Sequence, residues 1–179
     1  GYYMRKFNNY KSGIGQDADG LMRIYRLAEL YLNFAEAAYQ AVGPDIPVVS
    51  KVGAESLSAR DAINKIRVRV GMPELSAGMS KEIFEKRYRN ERRVELAFEE
   101  HRFFDARRWM IAPTTLGRKV TIIDVFGQLK PGKTVSRYFH STANYTYTYT
   151  VNTLNPGIEN RSWNDKMYLF PIPDSEMRK

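Results

Sequence analysis

The chain has 179 residues, of which 43% are hydrophobic and 13% aromatic. This composition excludes a disordered protein and allows a single domain with a real core. There is no cysteine, which excludes disulfides, thiol catalysis and thiolate metal sites. The net charge of +8 can favour polyanionic partners. No apolar run is long enough to span a membrane, and the chain opens at Gly1 without a signal peptide, so we expect a piece excised from a longer protein.

The clearest helix is predicted over residues 20–42, where Asp17 or Asp19 can cap the start and Gly43-Pro44 ends it. Apolar residues fall on two of its faces. One face holds Leu21, Ile24, Ala28, Leu32, Ala35 and Tyr39, and the second holds Leu27, Leu30, Phe34 and Ala41. A helix that is apolar on two sides packs between neighbours, as in helical bundles and α-solenoids.

A second helix is predicted from the capping box of Ser58 and Asp61 to a stop at Gly71 and Pro73. Another begins near Ser80 and runs into the charged stretch NERRVELAFEEHRFFDARRW, residues 90–109. The two helix pairs give a weak repeat of about 37 residues, near the tetratricopeptide period. We therefore expect a mainly α fold with tetratricopeptide-like helix pairs.

The composition changes after about residue 114. The runs VTIIDVF, KTVSRYF and YTYTYTV are rich in β-branched and aromatic residues and are separated by Gly, Pro and Asn. These runs predict short strands or a hairpin. The chain is thus read as one domain over residues 1–179, helical over 17–112 and rich in loops and strands over 113–179.

The charged stretch places carboxylates where an apolar stripe should run. Glu91 falls near the middle of the apolar face, and Glu95 lies on the same side. A buried carboxylate without a partner costs several kcal/mol, so both need cations. Paired carboxylates can serve acid–base catalysis, but so many guanidiniums would lower the raised pKa that a glycosidase requires. We favour a structural ion-pair network, with the members Arg87, Glu91, Arg92, Glu95, Arg102, Asp105 and Arg108.

Four aromatic residues are candidates for stacking on a sugar: Trp163, Tyr145, Tyr147 and Tyr149. The alternation TYTYT points its tyrosines to one side of a strand, and an aromatic ring offers a flat face with a polar tip. The alternative is that this face packs on the helical body. Neither His101 nor His140 has metal-ligand spacing around it. We predict no metal, no cofactor and no catalytic residue.

Four stretches, in order, resemble the SusD/RagB family of nutrient-binding outer-membrane lipoproteins of Bacteroidetes. They are YRLAELYLNFAEAAYQA (25–41), AINKIRVRVGMPEL (62–75), the charged stretch (90–109) and MYLFPIPDSE (167–176). The family usually carries glycine after the Phe-Glu pair of the charged stretch, whereas this chain carries Glu100, so a tight turn is not predicted there. The usual asparagine-rich ending is absent as well.

The resemblance implies the C-terminal part of a non-catalytic surface lipoprotein with a mostly helical, tetratricopeptide-like fold. Such a protein captures a glycan, less often a peptide, in polysaccharide utilization. It acts as a lid over a SusC-like TonB-dependent transporter at the cell surface of the outer membrane. Its lipid anchor would lie on an N-terminal part that precedes this chain. The family's signature residues are largely structural, which agrees with the ion-pair interpretation of Glu91 and Glu95.

Three other functions remain open to test. The chain could be a helical-repeat interaction module that contacts the transporter or binds peptides and has no sugar affinity itself. The charge of +8 could serve nucleic-acid binding, although no recognition motif is present. A glycosidase is disfavoured because the carboxylates are matched by arginines.

Overall fold

The computed structural model describes residue 6 and residues 24–135, 142–153 and 161–178. The chain divides into two compact units, one of them Asp19–Phe104 and the other including Asp105–Lys179. The predicted helix caps Asp17 and Asp19, His140 and part of the KTVSRYF run lie outside the described residues. Helices dominate and the strands form short antiparallel pairs. The predicted mainly α fold, with a hairpin in the C-terminal part, is confirmed.

The helical unit contains three main helices and one small hairpin. Its helices are α1 (Leu27–Ala41), α2 (Ala59–Arg69), α3 (Lys81–Glu95) and the start of α4 (His101–Arg108). Strands β1 (Val48–Val49) and β2 (Ser56–Leu57) pair antiparallel between α1 and α2. Helix α1 packs against both α2 and α3. The unit is therefore a small bundle arranged around α1.

Capping residues set the limits of α2 and α3. The backbone N–H of Asp61 donates to the Ser58 hydroxyl at 3.1 Å, and Gly71 ends α2 in a left-handed conformation with φ +73°. The Ser80 hydroxyl accepts from the N–H of Ile83 at the start of α3. In contrast, α1 begins only at Leu27, after an extended Arg26 whose side chain makes no capping bond. The predicted start near residue 20 is therefore wrong, since Ile24 to Arg26 are not helical.

The core lies where one face of α1 meets α2 and α3. Tyr39 sits at its centre, fully buried, with its ring centroid 5.4 Å from both Phe84 and Tyr88. Burial raises the pKa of Tyr39 to about 12, and the nearby carboxylates Glu85 and Glu36 add to the shift. The second apolar face expected on α1 stays open, because Leu27 is 63% exposed and Leu30 is 48% exposed.

The charged stretch is not one helix. Helix α3 ends at Glu95, and α4 begins at His101. Between them Phe98 and Glu100 adopt left-handed conformations with φ +62° and +65°. A tight turn thus forms at Glu100 despite the absence of glycine. A left-handed backbone conformation costs a residue with a Cβ about 1 kcal/mol or more, so this turn lowers the stability of the folded protein.

The second unit contains a long β-hairpin and short helical turns. After α5 (Ala112–Thr115), strand β3 (Thr121–Leu129) pairs antiparallel with β4 (Tyr145–Thr153) along nine residues of each. A 3₁₀ turn (Asp165–Tyr168) and helix α6 (Asp174–Met177) follow. In the described ranges, no helix has both the length and the hydrophobicity that crossing a bilayer requires.

Candidate ligand-binding site

Three tyrosines form a ladder along β4. Tyr145, Tyr147 and Tyr149 occupy alternate positions, so their side chains leave the same face of the hairpin. Successive ring centroids are 5.9 Å and 6.4 Å apart, with interplanar angles of 32° and 35°. The structure therefore brings together three of the four predicted sugar-stacking residues. We call this set the tyrosine ladder.

Exposure rises along the tyrosine ladder. Tyr145 is only 8% exposed, Tyr147 is half-buried, and Tyr149 is 58% exposed. The register places Val125 opposite Tyr149, and Val125 and Val151 on the same face are also exposed. The ladder is thus anchored at one end and open at the other. Only its Tyr149 end leaves a ring largely exposed, whereas the Tyr145 side chain is buried.

Trp163 lies in a different cluster. Its ring meets Tyr168 edge-on at 4.9 Å between centroids, and its Nε1 donates to Asp165 at 3.3 Å. The guanidinium carbon of Arg107 stands 5.6 Å from the centroid of the Trp163 ring and 5.2 Å from that of Phe170. A ring with these neighbours has less surface for a sugar, so Trp163 is a weaker contact candidate than Tyr149.

The carboxylates of α3 are matched by arginines from earlier helices. Glu91 lies 2.5 Å from Nη1 of Arg67, and Glu95 lies 3.0 Å from Nη2 of Arg69. Arg26, just before α1, binds both Glu95 at 2.5 Å and Glu99 at 2.8 Å. Burial opposes the charge of Arg26, but hydrogen bonds and the charges of the two carboxylates outweigh it and raise its pKa.

The remaining members of the predicted ion-pair network are dispersed. Arg92 is buried and donates to the Asn33 side chain at 2.8 Å. Asp105 is buried and lies 3.1 Å from Arg108. Arg102 is half-buried. Arg87 is exposed on α3 and forms no ion pair with any described residue.

This geometry suits holding helices more than transferring protons. Each of Glu91 and Glu95 accepts from a guanidinium, and these bonds join α3 to α2 and to the start of α1. Nε2 of His101 lies 3.5 Å from the carboxylate of the buried Glu29. Over the described parts of the chain, no three His, Asp or Glu residues are grouped as a metal site would require.

The SusD family model matches residues 1–179, the whole chain. The chain belongs to the SusD family. The resemblance seen in its four stretches is thereby confirmed. A crystal structure of a SusD-like protein from Bacteroides fragilis has 32% sequence identity and a TM-score of 0.63. The match covers 93% of this chain but 26% of that one, so the chain spans about a quarter of the solved SusD relative. No curated protein matches the chain.

Two features of this SusD-family chain escaped the sequence analysis. The first is the source of the cations for Glu91 and Glu95, because pairs separated by 24 or more positions leave no local spacing signal. The second is Gly127, which stands opposite Tyr147 in β3. Here a signal exists, because a glycine inside a strand pattern indicates close approach of another group.

Proposed function

We propose that this protein binds glycans at the cell surface and delivers them to a SusC-like TonB-dependent outer-membrane transporter, without catalysis. Membership of the SusD family supports the class of function. The observation that carries the binding part is Tyr149, an exposed ring at the open end of the tyrosine ladder. A tyrosine ring of this kind can pack on the apolar face of a sugar while its hydroxyl stays in water.

The test is binding to a panel of plant, host and microbial polysaccharides by affinity gel electrophoresis, with calorimetry on any that retard the protein. Tyr149→Ala should weaken binding by about tenfold, as expected when a contact worth roughly 1.4 kcal/mol is lost. Thr148→Ala is the matched control, because Thr148 is exposed and adjacent but faces the other side of β4. Unchanged binding by Tyr149→Ala would place the ligand elsewhere, and an equal loss in Thr148→Ala would show a disturbed hairpin instead of a lost contact.

Two further measurements separate this proposal from its competitors. Sugar binding through stacking should change little between 50 mM and 200 mM salt, whereas nucleic-acid binding would fall by orders of magnitude. Release of reducing ends during incubation with a bound polysaccharide would contradict the non-catalytic part. The same incubation thus tests the glycosidase alternative.

The proposed location is the outer face of the outer membrane, where a lipid anchor would hold the protein. Family membership supports this proposal. Antibody labelling of intact cells, compared with permeabilised cells, tests it directly. Labelling only after permeabilisation would contradict a surface location.

An interaction module without sugar affinity is the second candidate. It is favoured by the open apolar strip of α1, where Leu27 and Leu30 are exposed, and by Ile24, which is exposed just before the helix. Large exposed apolar patches mark interaction sites. This alternative predicts that Leu27→Asp/Leu30→Asp abolishes complex formation with the transporter while polysaccharide panels stay negative for the unmodified chain.

A further inference from the structure

Gly127 lies beneath the tyrosine ladder. It pairs directly with Tyr147 in the β3–β4 register. A Cβ built on Gly127 would come within 2.9 Å of Cε1 and 3.3 Å of Cδ1 of Tyr147, and within 3.6 Å of Cδ1 of Tyr145. One edge of the Tyr147 ring therefore approaches β3 so closely that a side chain at position 127 would collide with it.

Space, and not backbone conformation, requires glycine here. Gly127 is not among the described glycines with positive φ. An L-residue could adopt its backbone without strain, and alanine has the higher strand propensity because it loses less entropy on folding. A side chain at this position would be unfavourable only because it would collide with the Tyr147 ring. An aromatic ring packed over a glycine of the neighbouring strand is a known stabilising arrangement in sheets.

Displacing the Tyr147 ring would change the whole ladder. Tyr147 is the middle ring, 5.9 Å from Tyr145 and 6.4 Å from Tyr149 between centroids. Tyr145 is buried, so the lower end cannot move freely. The exposed Tyr149 ring has Tyr147 as its aromatic neighbour, and Val125 stands opposite it in the register. A shift of Tyr147 is therefore passed to Tyr149.

We infer that Gly127 is a positioning residue of the glycan site, which lets one edge of the Tyr147 ring approach β3 closely and so fixes the angle at which Tyr149 meets a sugar ring. The inference rests on the proposed function. The ligand contact at the ladder is then limited to one sugar residue, since a single exposed ring packs on the apolar face of one sugar residue at a time. The remaining specificity must come from polar groups around Tyr149.

The test is a double-mutant cycle between Gly127→Ala and Tyr147→Ala, with the best polysaccharide of the panel as the probe. Gly127→Ala should weaken binding by about three- to tenfold and leave the far-UV circular dichroism and the melting temperature close to those of the parent. In the Tyr147→Ala background the same substitution should have no further effect, because the ring that it displaces is gone. Gln128→Ala, on the opposite face of β3, is the matched control and should bind as the parent does.

Near-UV circular dichroism of the tyrosines supplies a readout that needs no ligand. Gly127→Ala should alter this signal, and Gly127→Ala/Tyr147→Ala should match Tyr147→Ala. Unchanged binding in Gly127→Ala, or an equal loss with and without the Tyr147 ring, overturns the inference.

If the parent binds no polysaccharide, the proposed function fails for this chain, and the dichroism cycle alone supports or overturns the positioning role. If Gly127→Ala does not fold, recovery of folding in the double variant supports the collision with Tyr147, and continued failure overturns it.

Discussion

Arg67 of α2 and Glu91 of α3 form an ion pair with 2.5 Å between Nη1 and Oε2. The side chains are only 16% and 13% exposed. The same guanidinium donates through Nε to the carbonyl of Pro73 at 2.6 Å, in the loop that joins the two helices. One side chain thus ties together α2, α3 and the connection between them. The planar fork of arginine suits this role, because it can serve two acceptors in fixed directions.

Glu91→Ala should lower the free energy of unfolding by about 3 kcal/mol, because it leaves the guanidinium of Arg67 largely buried without its carboxylate. Chemical denaturation followed by far-UV circular dichroism measures this. Lys86→Ala, an exposed position on the same helix, should stay within about 0.5 kcal/mol of the parent. An unaltered denaturation curve for Glu91→Ala would contradict a structural role for the pair.

Glu100→Gly should stabilise the protein by about 0.5–1 kcal/mol. Glu100 has φ +65°, which a residue with a Cβ adopts at a cost of about 1–2 kcal/mol. Glycine removes this cost, but part of the stabilisation is lost because glycine makes the unfolded chain more flexible. Glu100→Ala is the matched control, since it removes the charge but keeps the Cβ. If both variants stabilise equally, repulsion among carboxylates is the cause and the backbone is not.

The protein should lose stability in acid as the Asp45 carboxylate becomes protonated. Its carboxylate accepts from the N–H of Gly78 at 2.8 Å and from Nε of Arg60 at 2.6 Å. The hydrogen bond from Gly78 and the pairing with Arg60 lower the pKa of Asp45 below its usual value, although partial burial opposes them. The resulting stability is fully present above the unfolded pKa of about 3.9 and is lost as the pH falls through the lower folded pKa.

The pH dependence of the melting temperature between pH 2 and pH 6 tests this. Asp45→Asn should lower the melting temperature at pH 6 and flatten its decline below about pH 4. Asp174→Asn, at an exposed pair with Arg178, is the control and should follow the parent. A decline below pH 4 that is as steep in Asp45→Asn as in the parent would contradict the assignment.

Gly117→Ala should loosen the segment around Trp163. A Cβ at Gly117 would lie 2.7 Å from Cβ of Trp163 and 2.9 Å from the carbonyl of Pro113, and neither atom can swing away cheaply. We expect a loss of about 1–3 kcal/mol and a red shift of Trp163 emission, measured in a Trp109→Phe background. Arg118→Ala, next along the chain and exposed, should leave the emission unchanged.

Local signals in the sequence were enough for several elements. Ser58 with Asp61 and the stop at Gly71 predicted α2 closely, and TYTYT predicted that the tyrosines of β4 share a face. Both depend on neighbours within a few positions, which the spacing of residue types records directly. The mainly helical class followed from the same short-range patterns.

What the sequence could not supply depends on distant partners. Nothing near Glu95 indicates that Arg26, 69 positions earlier, binds it. The turn at Glu100 uses a left-handed conformation that propensity disfavours, so surrounding contacts must impose it. The burial of Tyr145 beside the exposure of Tyr149 likewise depends on packing, because both have the same residue type and face the same way.

Arg26 stands immediately before the first residue of α1, and its partner Glu99 stands just after the last turn of α3. The polypeptide therefore enters and leaves the three-helix bundle at nearly the same place. A segment whose two ends lie close together can be inserted into a longer chain as a unit. Joining residues 26 and 99 by a short linker and opening the chain in the loop between α2 and α3 should consequently give a circular permutant that still folds.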